Sequence, residues 1–512
     1  MKVRLKRRAL QLSLQDLEKE EPEVIPLKVP GGLRVNGTSY IFRTKPYAHQ
    51  MAALRRAWVL GNSALFMEQG TGKTAVAIHF AALKFLEGDC DKVLIICPLS
   101  TVGVWVKEFR KHLPDDLRRR TKICRLLGTR SRRIKKLVNA TGFHREGGFS
   151  GKELRFYIIN YESAWRLAAE LRELDPDIII ADESHRIKSA RAKQSKGMWR
   201  LGRAARYRLI LAGTPIIGGA YDVWSQFNFL NPDVFGDNWW RFRSFYMQMG
   251  GYYNKEVIGY KHLDNLKRKV RGNSFIIRKE ECLDLPKKVY QVVPIDLSQS
   301  SRQLYNDMAT QLVAEIEDGS ISTAPIVLVK LLRLAQITSG FLKDLDDNIH
   351  DVGREKLDTC VELIEDRVGD GHQIVVFARF RHEIFRLEKE LLRRKISCCT
   401  LTGSTPVASR DLLIEQFQSG AYDVFIAQIQ AGSLGITLTS ADTAIFLSMD
   451  FALGNYLQAQ DRLHRIGQTR KVTYLHLIVP GSIDALVYKI LHKKKKLAEF
   501  ILKRPRAVLL SR

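Results

Sequence analysis

Short apolar runs that stop at charged or glycine-bearing segments constrain this chain more than any other feature. Five fall at 64–67, 93–97, 156–159, 177–181 and 207–211, and five more at 373–378, 397–401, 424–429, 443–447 and 473–478. Runs this short, rich in Val, Ile and Leu and separated by helical patterns, are the sequence form of strands buried on both faces of a parallel sheet. Two series predict an α/β chain with two tandem doubly wound parallel-sheet domains and helical additions. The expected division is a basic N-terminal extension (1–39), a first domain with a helical and aromatic C-terminal part (40–285), a helical linking region (286–350), a second domain (351–480) and a basic C-terminal helix and tail (481–512). Within the linking region, helical spacing over 297–334 breaks at Asp318-Gly319-Ser320 and at Pro325.

Charge narrows the partners. With 82 Lys and Arg against 55 Asp and Glu the formal net charge is +27, and the excess is clustered. Residues 118–136 hold ten basic and no acidic side chains, the first eight residues hold five, and Lys493 to Lys496 precede Lys503, Arg504 and Arg506. A solvated helix face explains any one cluster. The set as a whole points to nucleic acid, bound through phosphate neutralisation and counterion release, with strong salt dependence and little sequence preference. Uncharged apolar runs such as 93–99 are too short to span a bilayer, so no membrane association is expected. The acid-rich stretch from Asp16 to Glu23 argues against a targeting peptide. Seven cysteines without a CxxC pair, mostly in apolar surroundings, read as reduced packed thiols rather than zinc ligands or disulfides.

Three strand ends carry candidate chemistry. After 64–67 comes Met67-Glu68-Gln69-Gly70-Thr71-Gly72-Lys73-Thr74. Gly70 and Gly72 let backbone wrap phosphates with Thr71 between them, Lys73 is suited to β and γ oxygens, and Thr74 to Mg²⁺. Methionine at 67, where the strict phosphate-loop pattern has glycine, leaves a match to the shorter GxGK[ST] form. The run at 177–181 continues into Asp182-Glu183-Ser184-His185. Asp182 is placed to hold Mg²⁺ through water and Glu183 to activate the attacking water. His185 is a candidate link to the other domain, or else a packed imidazole. The run at 207–211 continues into Gly213-Thr214-Pro215, a candidate relay of phosphate state.

This set resembles the superfamily-two helicase-like ATPases and, among them, the Swi/Snf-type DNA translocases. The resemblance spans roughly residues 40–496. Its branch-specific parts are the run from Trp224 to Gly236, Ile276-Ile277-Arg278-Lys279 before Leu285-Pro286-Lys287, and Arg465-Ile466-Gly467-Gln468. It implies RecA-like domains, ATP and Mg²⁺ as cofactors, and ATP-driven movement on duplex or branched DNA by a chain monomeric in isolation. It also implies that Gln50 reads adenine, that Gly435 and Gln458 join the nucleotide site, and that Arg462 and Arg465 enter that site from across the cleft. Ser100, Thr402, Gly403 and Gln430 become expected nucleic-acid contacts. Gln69, Thr71, Ser184, Gly218-Gly219 and Asp450-Phe451-Ala452-Leu453 depart from the family's usual residues without removing a catalytic group. With no room for large chromatin-reading modules, the expected setting is a compact enzyme of a bacterial or virus-infected cytoplasm, or of a nucleus if eukaryotic.

A strand-separating or annealing helicase acting on forked DNA or RNA, and an ATP-independent nucleic-acid scaffold, remain as alternatives. The segment Trp239-Trp240-Arg241-Phe242-Arg243, with Phe245, Tyr246, Tyr252 and Tyr253, reads as core packing or as a base-stacking wedge.

Overall fold

The computed structural model describes residues 32–35, 38–142, 153–251, 256–317, 324–344, 346–430 and 436–502. The basic start, the break at 318–320, Tyr252, Tyr253, Gly435 and the basic residues from Lys503 onward lie outside the described residues.

Two all-parallel sheets organise the chain. In the first, seven strands lie in the spatial order Ser274–Ile277, Ser63–Met67, Tyr207–Leu211, Ile178–Asp182, Lys92–Cys97, Leu154–Asn160 and Thr121–Arg125. Six strands form the second, in the order Lys288–Pro294, Val472–Ile478, Thr443–Phe446, Ile374–Ala378, Val424–Gln428 and Cys398–Leu401. Central strands such as Ser63–Met67, Ile178–Asp182 and Ile374–Ala378 are buried throughout, because helices cover both faces of each sheet.

All ten apolar runs form strands. The other three strands of these two sheets lie at their edges. Thr121–Arg125 and Lys288–Pro294 are half-exposed edge strands whose polar residues break the apolar signature. Ser274–Ile277 is fully buried but only four residues long.

Parallel geometry gathers chemistry at one end. Strands Ser63–Met67, Tyr207–Leu211 and Ile178–Asp182 are consecutive neighbours, so the three motif-bearing loops leave the same edge of the sheet side by side. The first loop feeds helix Lys73–Glu87, which starts at left-handed Gly72 and stops at left-handed Gly88. Nearly every side chain of that helix is buried, so it is clamped in the core.

The aromatic segment divides by face. Trp239 packs on Trp224 and Phe242 at ring-centroid distances of 5.3 and 5.8 Å, and Phe242 and Tyr246 are buried with Phe235 nearby. Trp240 and Phe245 point outward.

The basic clusters are partly neutralised. In the first, Arg118 pairs with Asp115, Lys122 with Glu153 and Arg130 with Glu170. Lys493 to Lys496 lie in helix Ile483–Leu502, where Lys494 donates to the Phe451 carbonyl and Lys495 sits over the Tyr290 ring. The end of that helix inserts Ala498 and Ile501 into the first domain's core, and Lys267 covers Phe500.

A buried ion pair joins the two halves. Lys279 Nζ lies 2.7 Å from Asp461 Oδ1 and donates to the His464 carbonyl at 2.8 Å, while its backbone amide donates to Glu68 Oε2. Both charged side chains are under 10% exposed. Lys279→Ala leaves Asp461 with Lys288, at 3.9 Å, as its ion-pair partner among the described residues. The expected loss is about 3 kcal/mol, measured as a lower urea midpoint at unchanged slope.

Candidate active site

The phosphate loop follows from its two glycines. Gly70 and Gly72 have φ of 84° and 91°, a region that L side chains rarely enter. A Cβ at Gly72 would also collide with Gln50 Nε2. His49 Nε2 and Gln50 Nε2 lie 2.8 and 3.1 Å from the Thr71 carbonyl, and the Thr71 hydroxyl donates to the Glu68 carbonyl. Lys73 is buried beneath this loop, its ammonium donating to the Met67 carbonyl at 2.8 Å.

The acidic pair is held from both sides. Tyr161 OH donates to the Asp182 backbone carbonyl at 2.7 Å, and Trp105 Nε1, from helix Val102–His112, donates to Asp182 Oδ2 at 2.9 Å. Glu183 has φ of 53° and ψ of 53°, a left-handed conformation that costs a non-glycine residue about 1–3 kcal/mol and is found mainly at functional sites. Burial and the adjacent Glu183 charge push the Asp182 carboxyl up. Burial also pushes Glu183 up, but the His185 contact and the charges of Lys73 and Arg462 together hold it below its usual range. His185 Nδ1 is 3.2 Å from Glu183 Oε2.

Two departures from the family's usual residues have structural partners. Ser184 Oγ donates to Gln226 Oε1 at 2.7 Å, and Gln226 Nε2 donates to the Pro215 carbonyl at 2.7 Å, which ties the acidic box to the Gly213-Thr214-Pro215 turn. Gln69 Oε1 accepts from Arg462 Nη2 at 3.2 Å across the domain cleft. Gly213 packs closely on Gln69, since a Cβ there would lie 3.0 Å from Gln69 Cγ and 3.2 Å from its backbone nitrogen.

A cavity of about 420 Å³ unites these groups. Gly70, Lys73, Thr74, Asp182, Glu183 and His185 line it from one domain, and Gln458, Arg462 and Arg465 from the other. Burial lowers the Arg462 pKa to about 10, which leaves it a cation at neutral pH. Arg465 Nη1 donates to Thr437 Oγ1 at 3.0 Å.

A triphosphate and Mg²⁺ fit this donor set. The glycine loop opens a helix N-terminus, where backbone N–H groups favour anions. A buried ammonium stands beside it, with a hydroxyl at Thr74 and a carboxylate at Asp182 for a hard cation.

Other expected site residues lie elsewhere. Gln50 rests on the phosphate loop rather than lining the cavity. Thr214 lines a separate cavity of about 510 Å³ at the domain junction. Ser100 and Gln430 are exposed just beyond strand ends. Thr402 and Gly403 form a turn in which their amides donate to Thr405 Oγ1 and Gln428 Oε1.

The roles of Trp105, Tyr161, Gln69 and Gln226 escaped the sequence reading, because each acts through a partner removed from it in the chain. Trp105→Phe keeps an aromatic ring, smaller than the indole, and removes the donor to Asp182. The Mg²⁺ concentration for half-maximal ATP hydrolysis is expected to rise roughly tenfold. Magnesium-free binding of a fluorescent ADP analogue should hold; weakening there would mean that the indole supports the pocket instead.

These features define a two-domain helicase-like ATPase core. An SNF2-related domain matches residues 49–339, and a helicase conserved C-terminal domain matches 355–467. The chain belongs to the SNF2-related family. It is 26% identical to an uncharacterized ATP-dependent helicase of Mycoplasma genitalium over 84% of this chain and 39% of that one. To the ISWI chromatin-remodeling complex ATPase CHR17 of Arabidopsis thaliana it is 26% identical over 93% of this chain and 44% of that one. The chain thus spans about two fifths of the length of these curated relatives. A solved Sulfolobus solfataricus SWI2/SNF2 ATPase core in complex with dsDNA is 22% identical, covers 93% of this chain and 95% of that one, and has a TM-score of 0.42. Among the described residues no helix is long and apolar enough to cross a membrane.

Proposed function

We propose that this chain is a DNA-stimulated ATPase that moves along duplex or branched DNA and uses that motion to remodel protein–DNA complexes or DNA junctions. The observation that carries this reading is a nucleotide cavity walled by both domains, with Arg462 already reaching Gln69. Lys73 and the Gly70–Gly72 backbone bind the phosphates, Glu183 takes the proton of the attacking water, and Arg462 and Arg465 stabilise charge on the transferring group. Thr74 and Asp182 would hold Mg²⁺, which when bound neutralises phosphate oxygens. The His185 contact with Glu183 and the Ser184–Gln226–Pro215 chain couple nucleotide state to the Gly213-Thr214 turn.

Arginines contributed across a cleft make hydrolysis depend on domain closure. Alternation between closed and open cleft then moves one domain's grip along a strand. The formal charge of +27 supports a polyanionic track without sequence preference. Magnesium and DNA contacts at Ser100, Thr402, Gly403 and Gln430 belong to the same proposal. A third DNA strand annealed in the major groove of a duplex tests movement: ATP-dependent displacement is expected, and DNA-stimulated hydrolysis without displacement would remove translocation from the reading.

A further inference from the structure

Another cavity lies beside the aromatic segment. It measures about 460 Å³, within the range of about 300–1,000 Å³ that small-molecule sites occupy. Its floor is apolar, formed by Trp239, Met247 and Val257, and Lys188, Arg191 and Arg243 stand around it. Its one carboxylate, Asp222, is buried and already accepts from the Ile217 and Gly218 amides. The rim is built: Arg191 and Arg243 both lie over the Trp240 indole, at 5.7 and 5.3 Å from its centre. Trp240 itself is 59% exposed. Trp239 Nε1 is buried and has no hydrogen-bond partner among the described residues.

Core packing accounts for Trp239, Phe242 and Tyr246, and Phe245 stacks on His262 at 4.3 Å, which leaves outward Trp240 beneath two arginines without such an account. An indole that holds two guanidiniums in place presents their N–H groups in fixed positions, which suits consecutive phosphates. An apolar recess behind them suits a flat base that has left its stack. Lys188 lines this cavity and the nucleotide cavity alike, so the two sites share a wall.

Resting on the DNA-directed function proposed above, we infer that this cavity takes one unpaired nucleotide of a single-stranded segment. Arg191 and Arg243 hold the flanking phosphates, and the base enters against Trp239. The site thereby favours forked or gapped DNA over blunt duplex.

Fluorescence anisotropy on the full chain tests this with a short single strand, a forked duplex and a blunt duplex. The variants are Arg191→Ala with Arg243→Ala, which strips the rim, and Ser189→Phe, which fills the mouth from an exposed position. Each should bind single strand and fork roughly fivefold to 100-fold more weakly, with blunt duplex unchanged within about twofold. A 2-aminopurine base in the single-stranded arm should be quenched by the unmodified chain and not by Ser189→Phe. Unchanged fork affinity in both variants overturns the inference, and so do equal losses on fork and blunt duplex. Failure of the unmodified chain to bind single strand overturns it too, while duplex-stimulated hydrolysis would leave the proposed function standing. Hydrolysis indifferent to every DNA is the separate outcome that defeats the function itself.

Discussion

Glu183→Gln should retain nucleotide binding and slow ATP hydrolysis by roughly 10²–10⁴-fold, the usual contribution of a positioned general base. The carboxamide keeps the size and shape of the carboxylate, replaces one acceptor oxygen by an NH2 donor, and cannot take a proton. Glu183 is fixed in a left-handed conformation at the end of Ile178–Asp182, so a change of chemistry alone should not move it. The His185 contact and the nearby cations favour its ionised form, the form that a base requires. Asp182 keeps its Trp105 and Tyr161 contacts in the variant. A coupled hydrolysis assay and titration of a fluorescent nucleotide separate the two effects. Hydrolysis at the unmodified rate would place water activation on another group.

Arg465→Ala should cut turnover by roughly 10³–10⁵-fold while sparing DNA binding, as expected for an arginine that reaches transition-state charge from across a cleft. Its Cγ already lies 3.7 Å from where a Cβ on Gly70 would be, which puts the side chain over the phosphate loop. Arg462→Ala should reach a similar loss and also break the contact with Gln69. Lysine should not rescue either position, because a point charge lacks the planar fork of donors. Single-turnover hydrolysis at saturating ATP, with DNA affinity measured alongside, distinguishes loss of chemistry from loss of grip. If both single variants keep full turnover, the arginines serve only to hold the domains together.

The sequence was most legible where burial forces a pattern. Central strands such as Val424–Gln428 must be apolar on both faces, and the phosphate loop must have glycine where φ is positive, so both could be read directly. Edge strands answer to weaker demands: Thr121–Arg125 looks like part of a basic run because one side of it meets water. Partners remote in the chain were the least legible. Nothing near Trp105 signals that its indole will meet Asp182, 77 positions later, and nothing near Gln69 signals Arg462. The unusual Ser184 and Gln69 were visible only as departures, and their use emerged with Gln226 and Arg462 in place. The aromatic segment left two readings open, since residues three and four apart on one short helix turn inward while Trp240 and Phe245 turn outward.

The most direct measurement is steady-state ATP hydrolysis without polymer and with duplex DNA, forked DNA, single-stranded DNA or RNA, after subtracting the rate of Glu183→Gln. Strong stimulation by duplex or forked DNA is the expected result for a DNA-driven motor. Stimulation by RNA alone, or a rate indifferent to every nucleic acid, would contradict it.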